Sequence, residues 1–167
     1  MNLIHDTELS LFTEVPEDKE LNILYYLNQQ NTPEVGELES INDLSKLIDM
    51  SAINFYVLAG DEIIGFVICF REGSEYKSPN YSYFKNKEDK FLYIDRIVIK
   101  DAYRRRGAGS YLYDHLHELA KKEGIPLCCE VNIMPKNQIS LNFHSKKGFK
   151  DDGECHFKSH SVKYLIK

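Results

Sequence analysis

The sequence predicts an α+β (mixed α/β) domain, and three observations carry that prediction. Apolar residues recur at helical spacing up to about residue 50, then give way to continuous apolar runs of strand length. From residue 91 onward strand and helix patterns alternate, as they do when helices pack on a sheet. At 167 residues the chain is long enough to close one hydrophobic core.

Each element follows from its local pattern. A first helix is expected over 17–30 (EDKELNILYYLNQQ), where Leu21, Leu24, Tyr25 and Asn28 share a face and Pro16 and a run of acids mark the start. A second short helix is expected over 41–50, with Ser40 as its N-cap. NFYVLAG and IIGFVICFR flank Asp61-Glu62 and read as an antiparallel hairpin, and FLYIDRIVIK, residues 91–100, is strongly β-prone. The segment between them, 72–90, is too long for a simple turn, and loops of that length are often functional. Its aromatics, Tyr76, Tyr81, Tyr83 and Phe84, either cover the core or wall a substrate site; Tyr81, Tyr83 and Phe84 are the candidate substrate contacts.

Leu112, Leu116, Leu119 and Ala120 define one face of a helix that should end near Gly124, with Lys121 and Lys122 in its last turn and Pro126 beyond. PLCCEVNI reads as the next strand, NQISLNFHSKK as a helix stopped by Gly148, and two short strands follow at about 153–158 and 161–166. No repeat, low-complexity tract or linker breaks the chain. One domain over 1–167 is expected: an N-terminal strand and helices to 53, a core over 54–150, and C-terminal strands over 151–167.

Composition removes several function classes. A formal net charge of −5 disfavours nucleic acid and anionic membrane as partners, so a basic run here is better read as a local site for a small anion. No apolar run approaches the ~18–20 residues that span a bilayer, and the N-terminus lacks the basic-then-apolar pattern of a signal peptide. The four cysteines include no Cys-x-x-Cys pair, and Cys128 and Cys129 should point to opposite faces of a strand; reduced thiols and a cytoplasmic location are expected. Cys155, His156 and His160 crowd together, but His spacing of four suits zinc only on a helix, and no metal is expected. His115 and His117 are expected to be solvated.

DAYRRRGAGSYLYDHL, residues 101–116, is the informative stretch. It lies at a strand-to-helix junction, where a helix N-terminus offers unpaired amides and partial positive charge. Gly107 and Gly109 let a ligand approach the backbone closely, and Arg104, Arg105 and Arg106 add cations, so the turn suits a pyrophosphate. The alternative is an ordinary helix entry. Neither the P-loop string nor the Gly-x-Gly-x-x-Gly fingerprint is present.

Arg104-x-x-Gly107-x-Gly109 after the strand IDRIVIKDAYR resembles the acyl-CoA loop of the GNAT N-acetyltransferase superfamily. PKNQISLNFHSKKGF resembles that family's Asn-x-x-Ser/Ala-x-x-x-Tyr-x-x-x-Gly-Phe segment, with Asn137, Ser140, Gly148 and Phe149 aligned. YKSPNYSYF, YIDRIVI, CEVN and FHSKKGF are similar to a bacterial branch of predicted members without a firmly assigned substrate. The resemblance spans about residues 54–150.

The resemblance implies a mixed, mostly antiparallel sheet of about six to seven strands with about four helices. It implies acetyl-CoA as the acyl donor, its pantetheine arm pairing with the main chain of Ile97, Val98 and Ile99, and its pyrophosphate on Arg104, Arg105, Arg106, Gly107, Ala108, Gly109 and Ser110. Asn137 would contact pantetheine or cap its helix. It also implies transfer to a primary amine of a small acceptor; homodimers are common in the family. Transfer needs a base for the ammonium, and Asp95 and Glu130 are the candidates, Asp95 being placed on the face of Ile97. His144 falls where the family carries a tyrosine, and an imidazolium with a pKa near ~6.5 could protonate the departing thiolate. The rival reading is an acyl-CoA-binding module or sensor without transferase activity.

Overall fold

The computed structural model describes residues 6–167. Seven strands form one sheet in the order β1-β2-β3-β4-β5-β7-β6. The strands are β1 (Thr7–Phe12), β2 (Ile53–Ala59), β3 (Glu62–Arg71), β4 (Leu92–Ile99), β5 (Leu127–Met134), β6 (Lys150–His156) and β7 (Ser161–Ile166). Every neighbouring pair is antiparallel except β4 with β5. The helices are α1 (Asp18–Gln30), α2 (Ile41–Met50), α3 (Pro79–Lys85), α4 (Ala108–Glu123) and α5 (Gln138–Lys146). No helix among the described residues is long and apolar enough to cross a membrane.

Local chemistry explains the helix ends. The Ser40 hydroxyl accepts from the Asp43 amide while the Asp43 carboxylate accepts from the Ser40 amide, a reciprocal cap that starts α2. Helix α4 ends in Gly124 at φ 66°, with Lys121 and Lys122 in its last turn beside the negative end of the helix dipole.

The sheet separates two cores. On one face α1, α2 and α3 pack over Phe66, Ile68, Phe70, Tyr93, Cys128 and Tyr164. On the other, α4 brings Leu112, Leu116 and Ala120 against Val67, Cys69, Leu92, Ile94 and Cys129. Cys128 and Cys129 thus face opposite ways, and all four cysteines are free.

The seven strands and five helices among the described residues fit the expected fold class; the helix within 72–90 is α3, begun by Ser78 as N-cap and Pro79 in its first turn. Two expectations are corrected. Tyr81 and Phe84 are wholly buried in the first core, so they are packing residues and not the wall of a substrate site; Tyr83 is half-buried and stacks on Tyr164 at 3.8 Å. Strand β6 begins three residues earlier than the pattern suggested, at Lys150.

Candidate active site

Strands β4 and β5 run parallel but pair only at Leu92–Leu127 and Tyr93–Cys128. Past that point β4 stays bound to β3, and β5 to β7, while no ladder joins β4 to β5 among the described residues. The sheet is therefore split by a wedge with walls at 94–99 and 129–134. Unpaired main-chain groups along such an edge can bond an extended ligand.

Asp95 and Glu130 each lie two residues beyond the apex of the wedge, one on each wall. The register of β3 and β4 shifts between Ile68 and Cys69, which face Arg96 and Ile94, so Asp95 is an extra residue in a β-bulge. The bulge breaks the strict alternation used to place Asp95 with Ile97. Ile97 packs in the α4 core, whereas Asp95 bonds to Tyr76 and Arg96 on the side of Glu130.

The two acids have different surroundings. Asp95 accepts from the Tyr76 hydroxyl at 2.8 Å and from Arg96 Nε at 2.9 Å, and the Asp95 and Arg96 side chains are 5% and 7% exposed. Arg96 also donates to Asn28 Oδ1 (2.8 Å) and the Gly36 carbonyl (3.1 Å), tying α1 and the chain after it to β4. Glu130 has only neutral donors: the Tyr93 hydroxyl at 2.8 Å and the Asn80 amide at 3.2 Å. Burial first, and then the charge of Asp95, push the Glu130 carboxyl up to about 8. Burial and the neighbouring Glu130 likewise raise the Tyr93 phenol well above its ordinary value. Asp95 is a charged anchor, paired with Arg96. Glu130 can change charge near neutral pH.

The arginine–glycine turn follows β4 through a short 3-10 turn at Asp101–Tyr103. Arg105 at φ 60° and Gly107 at φ 95° are left-handed, the conformation in which successive amides can gather around an anion. Gly107 caps α4 without a side-chain bond, and amides at such a helix start can take an anion. Arg104 is a brace: it donates to the Ile99 carbonyl (3.1 Å) and to Asn31 Oδ1, and pairs with Asp101 (3.0 Å). Arg105 and Arg106 are exposed, the latter over the Tyr103 ring at 6.0 Å. Asn137 caps α5, its Oδ1 accepting from the Ser140 amide at 3.1 Å.

His144 lies apart from both acids, in the seam between α4 and α5, edge-on to Tyr113, Phe143 and Phe149. Its Nδ1 faces the Ser140 carbonyl at 2.7 Å, so that nitrogen carries the proton, and Nε2 accepts from the Tyr113 hydroxyl at 2.8 Å. Burial lowers its pKa. A neutral imidazole with both nitrogens engaged is a poor proton donor, so this geometry speaks against the proton-donor role that the motif suggests. His115 and His117 are half-buried rather than solvated, and burial lowers both. Among the described residues no three His, Cys, Asp or Glu side chains are arranged to hold a metal ion.

The structure puts Asp95 and Glu130 on the two walls of the wedge and the turn at the end of one, and it adds Tyr76, Asn80, Tyr93 and Tyr164 as partners that sequence reasoning did not name. Only Ser78-Pro79, a helix-start signal just ahead of Asn80, could have found α3.

The site thus combines a split parallel pair, a glycine-bearing helix start at the end of one wall and a titratable acid on the other. The chain belongs to the acetyltransferase (GNAT) family, whose profile matches residues 19–149. Solved structures agree in fold. Arabidopsis thaliana NAA60 in complex with acetyl-CoA superposes with a TM-score of 0.70 at 14% identity, over 96% of this chain and 99% of that one. Arabidopsis thaliana Naa50, bound to the bisubstrate analogue CoA-Ac-MVNAL, gives 0.69 at 20% identity, over 95% and 97%. The ribosomal-protein-S18-alanine N-acetyltransferase of Escherichia coli gives 0.68 at 15%, over 95% and 92%. No curated protein sequence matches the chain significantly.

Proposed function

We propose that this acetyltransferase moves the acetyl group of acetyl-CoA to the primary amine of a small acceptor, with Glu130 taking the ammonium proton. The observation that carries the reading is the wedge with Glu130 on one wall and the cradle of Arg105–Gly107 at the end of the other. Pantetheine lies along the open edge of β4, and the main-chain donors there face the thioester oxygen.

The steps balance in protons. An alkylammonium, with a pKa near ~10.4, loses one proton to Glu130; against a carboxyl near 8 this is about two and a half pH units uphill rather than about six. The free amine attacks the carbonyl carbon, and the tetrahedral adduct breaks its C–S bond. The second proton leaves the nitrogen for the thiolate, so the adduct itself supplies it and His144 is not required.

Two features favour a small cationic acceptor. Once Glu130 is ionised, the wedge holds two carboxylates, Asp95 and Glu130, against the guanidinium of Arg96. Helix α3 lies across the face of β5 and β7 through Asn80 and Tyr83, which leaves little room for a bulky partner above Glu130.

Calorimetric titration with acetyl-CoA, followed by thiol release with a panel of small amines and with short peptides bearing free N-termini, tests the reading. Micromolar binding and amine-dependent thiol release are expected. Binding without release from any amine would instead favour a sensor, and release with peptides alone would overturn the small acceptor.

A further inference from the structure

We infer that Asn80, delivered by α3, is a positioning residue that holds the Glu130 carboxyl in its titratable range through a relay from the Tyr164 hydroxyl. This rests on Glu130 as the proton acceptor, and it assigns a function to α3.

The relay is directional. The Tyr164 hydroxyl donates to Asn80 Oδ1 at 3.0 Å, so the amide must turn its nitrogen towards Glu130, where it donates to Oε1 at 3.2 Å. The Tyr93 hydroxyl takes Oε2 at 2.8 Å. Both carboxylate oxygens are thus held by neutral donors that favour the ionised form against the cost of burial.

The groups facing Glu130 from each packed element are few. From β4 come Tyr93, Asp95 and Arg96; from the chain before α3, Tyr76; from α3, Asn80; from β7, Tyr164; and from α4, beneath the sheet, Tyr113. Arg96, the cation of the set, is bonded to Asp95, Asn28 and Gly36. Asp95 is negative and works against ionisation of Glu130. Tyr93 is wholly buried in the core and cannot be altered without disturbing packing. Asn80 is half-buried and rests on a docked helix, so it is the donor that sets the acid without carrying the fold.

The relay needs α3 to be firmly seated. Tyr83 stacks on Tyr164 and donates to the Asp152 carbonyl, and Lys87 pairs with Asp152 at 2.7 Å. A Cβ at Gly153, whose φ is 151°, would come within 2.5 Å of the Tyr83 hydroxyl, so glycine there admits the tyrosine.

The test reads Glu130 directly, without needing the acceptor. Protein labelled with 13C at glutamate side-chain carboxyls is titrated by NMR, with Glu130→Gln assigning the resonance. Asn80→Leu should raise the Glu130 midpoint by about half a pH unit or more, and Tyr164→Phe should raise it less, because the amide remains but loses its orienting donor. Asn80→Gln should restore part of the shift. If Asn80→Leu and Tyr164→Phe both melt as the parent does and leave the midpoint in place, the relay is refuted; should Asn80→Leu fail to fold, Tyr164→Phe alone decides. The same variants separate this from the base assignment: thiol release that survives Glu130→Gln defeats the base while a moved midpoint still upholds the relay.

Discussion

The turn at 101–110 and the segment at 72–90 flank the same strand, yet they are built in opposite ways. The turn works through its backbone: amides freed at a helix start, Gly107 in a left-handed conformation, and arginines of which one braces the loop. The 72–90 segment works through side chains, placing Asn80 between Glu130 and Tyr164, 50 and 84 residues away in sequence, while Tyr81 and Phe84 fill the core. A backbone device needs particular residues in one short stretch. A side-chain relay needs only that distant elements meet.

The sharpest way to separate the two is to remove the acid without touching the turn. Glu130→Gln should lower turnover about 10²- to 10⁴-fold, the range of a lost general base, while acetyl-CoA affinity by calorimetry stays within about twofold. A turnover loss matched by lost affinity would mean that Glu130 shapes the wedge rather than the proton transfer. The same variant has a signature in stability. Between its ordinary value of 4.5 and about 8, folded Glu130 keeps a proton that the unfolded chain releases. The stability present at low pH is therefore lost as pH rises towards 8. Melting curves of Glu130→Gln should lack that component and lie above the parent at pH 9.

The contrast explains how much could be read in advance. The turn, α4 and α5 were legible because spacing, glycine and capping are local. Glu130 and Asp95 were legible as acids on flanking strands, but not their difference, since no periodicity announces the bulge that turns Asp95 to the side of Glu130 or the neutral donors that meet Glu130 alone. Helix α3 was hidden because two turns are too short to show a period, and its aromatics suit a core as well as a pocket. His144 misled for the complementary reason: its position matched a motif, while its chemistry is set by Tyr113 on α4 and by burial.

The converse experiment strikes the turn and spares the acid. Gly107→Val forces a branched side chain into φ 95° at the start of α4, which costs about 1–3 kcal/mol locally and should weaken acetyl-CoA binding at least about tenfold. Arg105→Ala with Arg106→Ala should do the same by a smaller factor, and with a weaker salt dependence than the parent. Thiol release at saturating acetyl-CoA should recover in both. A loss that saturation cannot relieve would tie the turn to the chemistry itself.

A milder effect tests the seat of α3. Gly153→Ala sets a Cβ against the Tyr83 hydroxyl, which the Tyr164 stack and the Asp152 carbonyl hold in place. Overpacking of this kind costs about 1–3 kcal/mol, or roughly 3–10 °C in melting temperature for a domain of this size. Tyr83→Phe in the same chain should return part of the loss, because it removes the atom that collides while the strain of a side chain at φ 151° remains. An unchanged melting point in Gly153→Ala would mean that α3 shifts freely over β6, and the relay through Asn80 would then lack its support.

The smallest effect on turnover is expected at His144, where the motif would place a large one. Its neutral ring bridges the Ser140 carbonyl and the Tyr113 hydroxyl across the α4–α5 seam. His144→Gln keeps a hydrogen-bonding side chain at the Tyr113 phenol, so thiol release should fall by less than about threefold while the melting temperature drops by a few degrees. The pH dependence carries more weight than the size of the change. If His144 protonated the thiolate, the parent would lose activity as pH rises through the imidazole pKa, and the variant would lose that limb. With Glu130 as the titrating group, activity rises with pH towards about 8 in both proteins. A falling limb that disappears in His144→Gln would restore the histidine to the reaction and make the seam, rather than the wedge alone, part of the catalytic site.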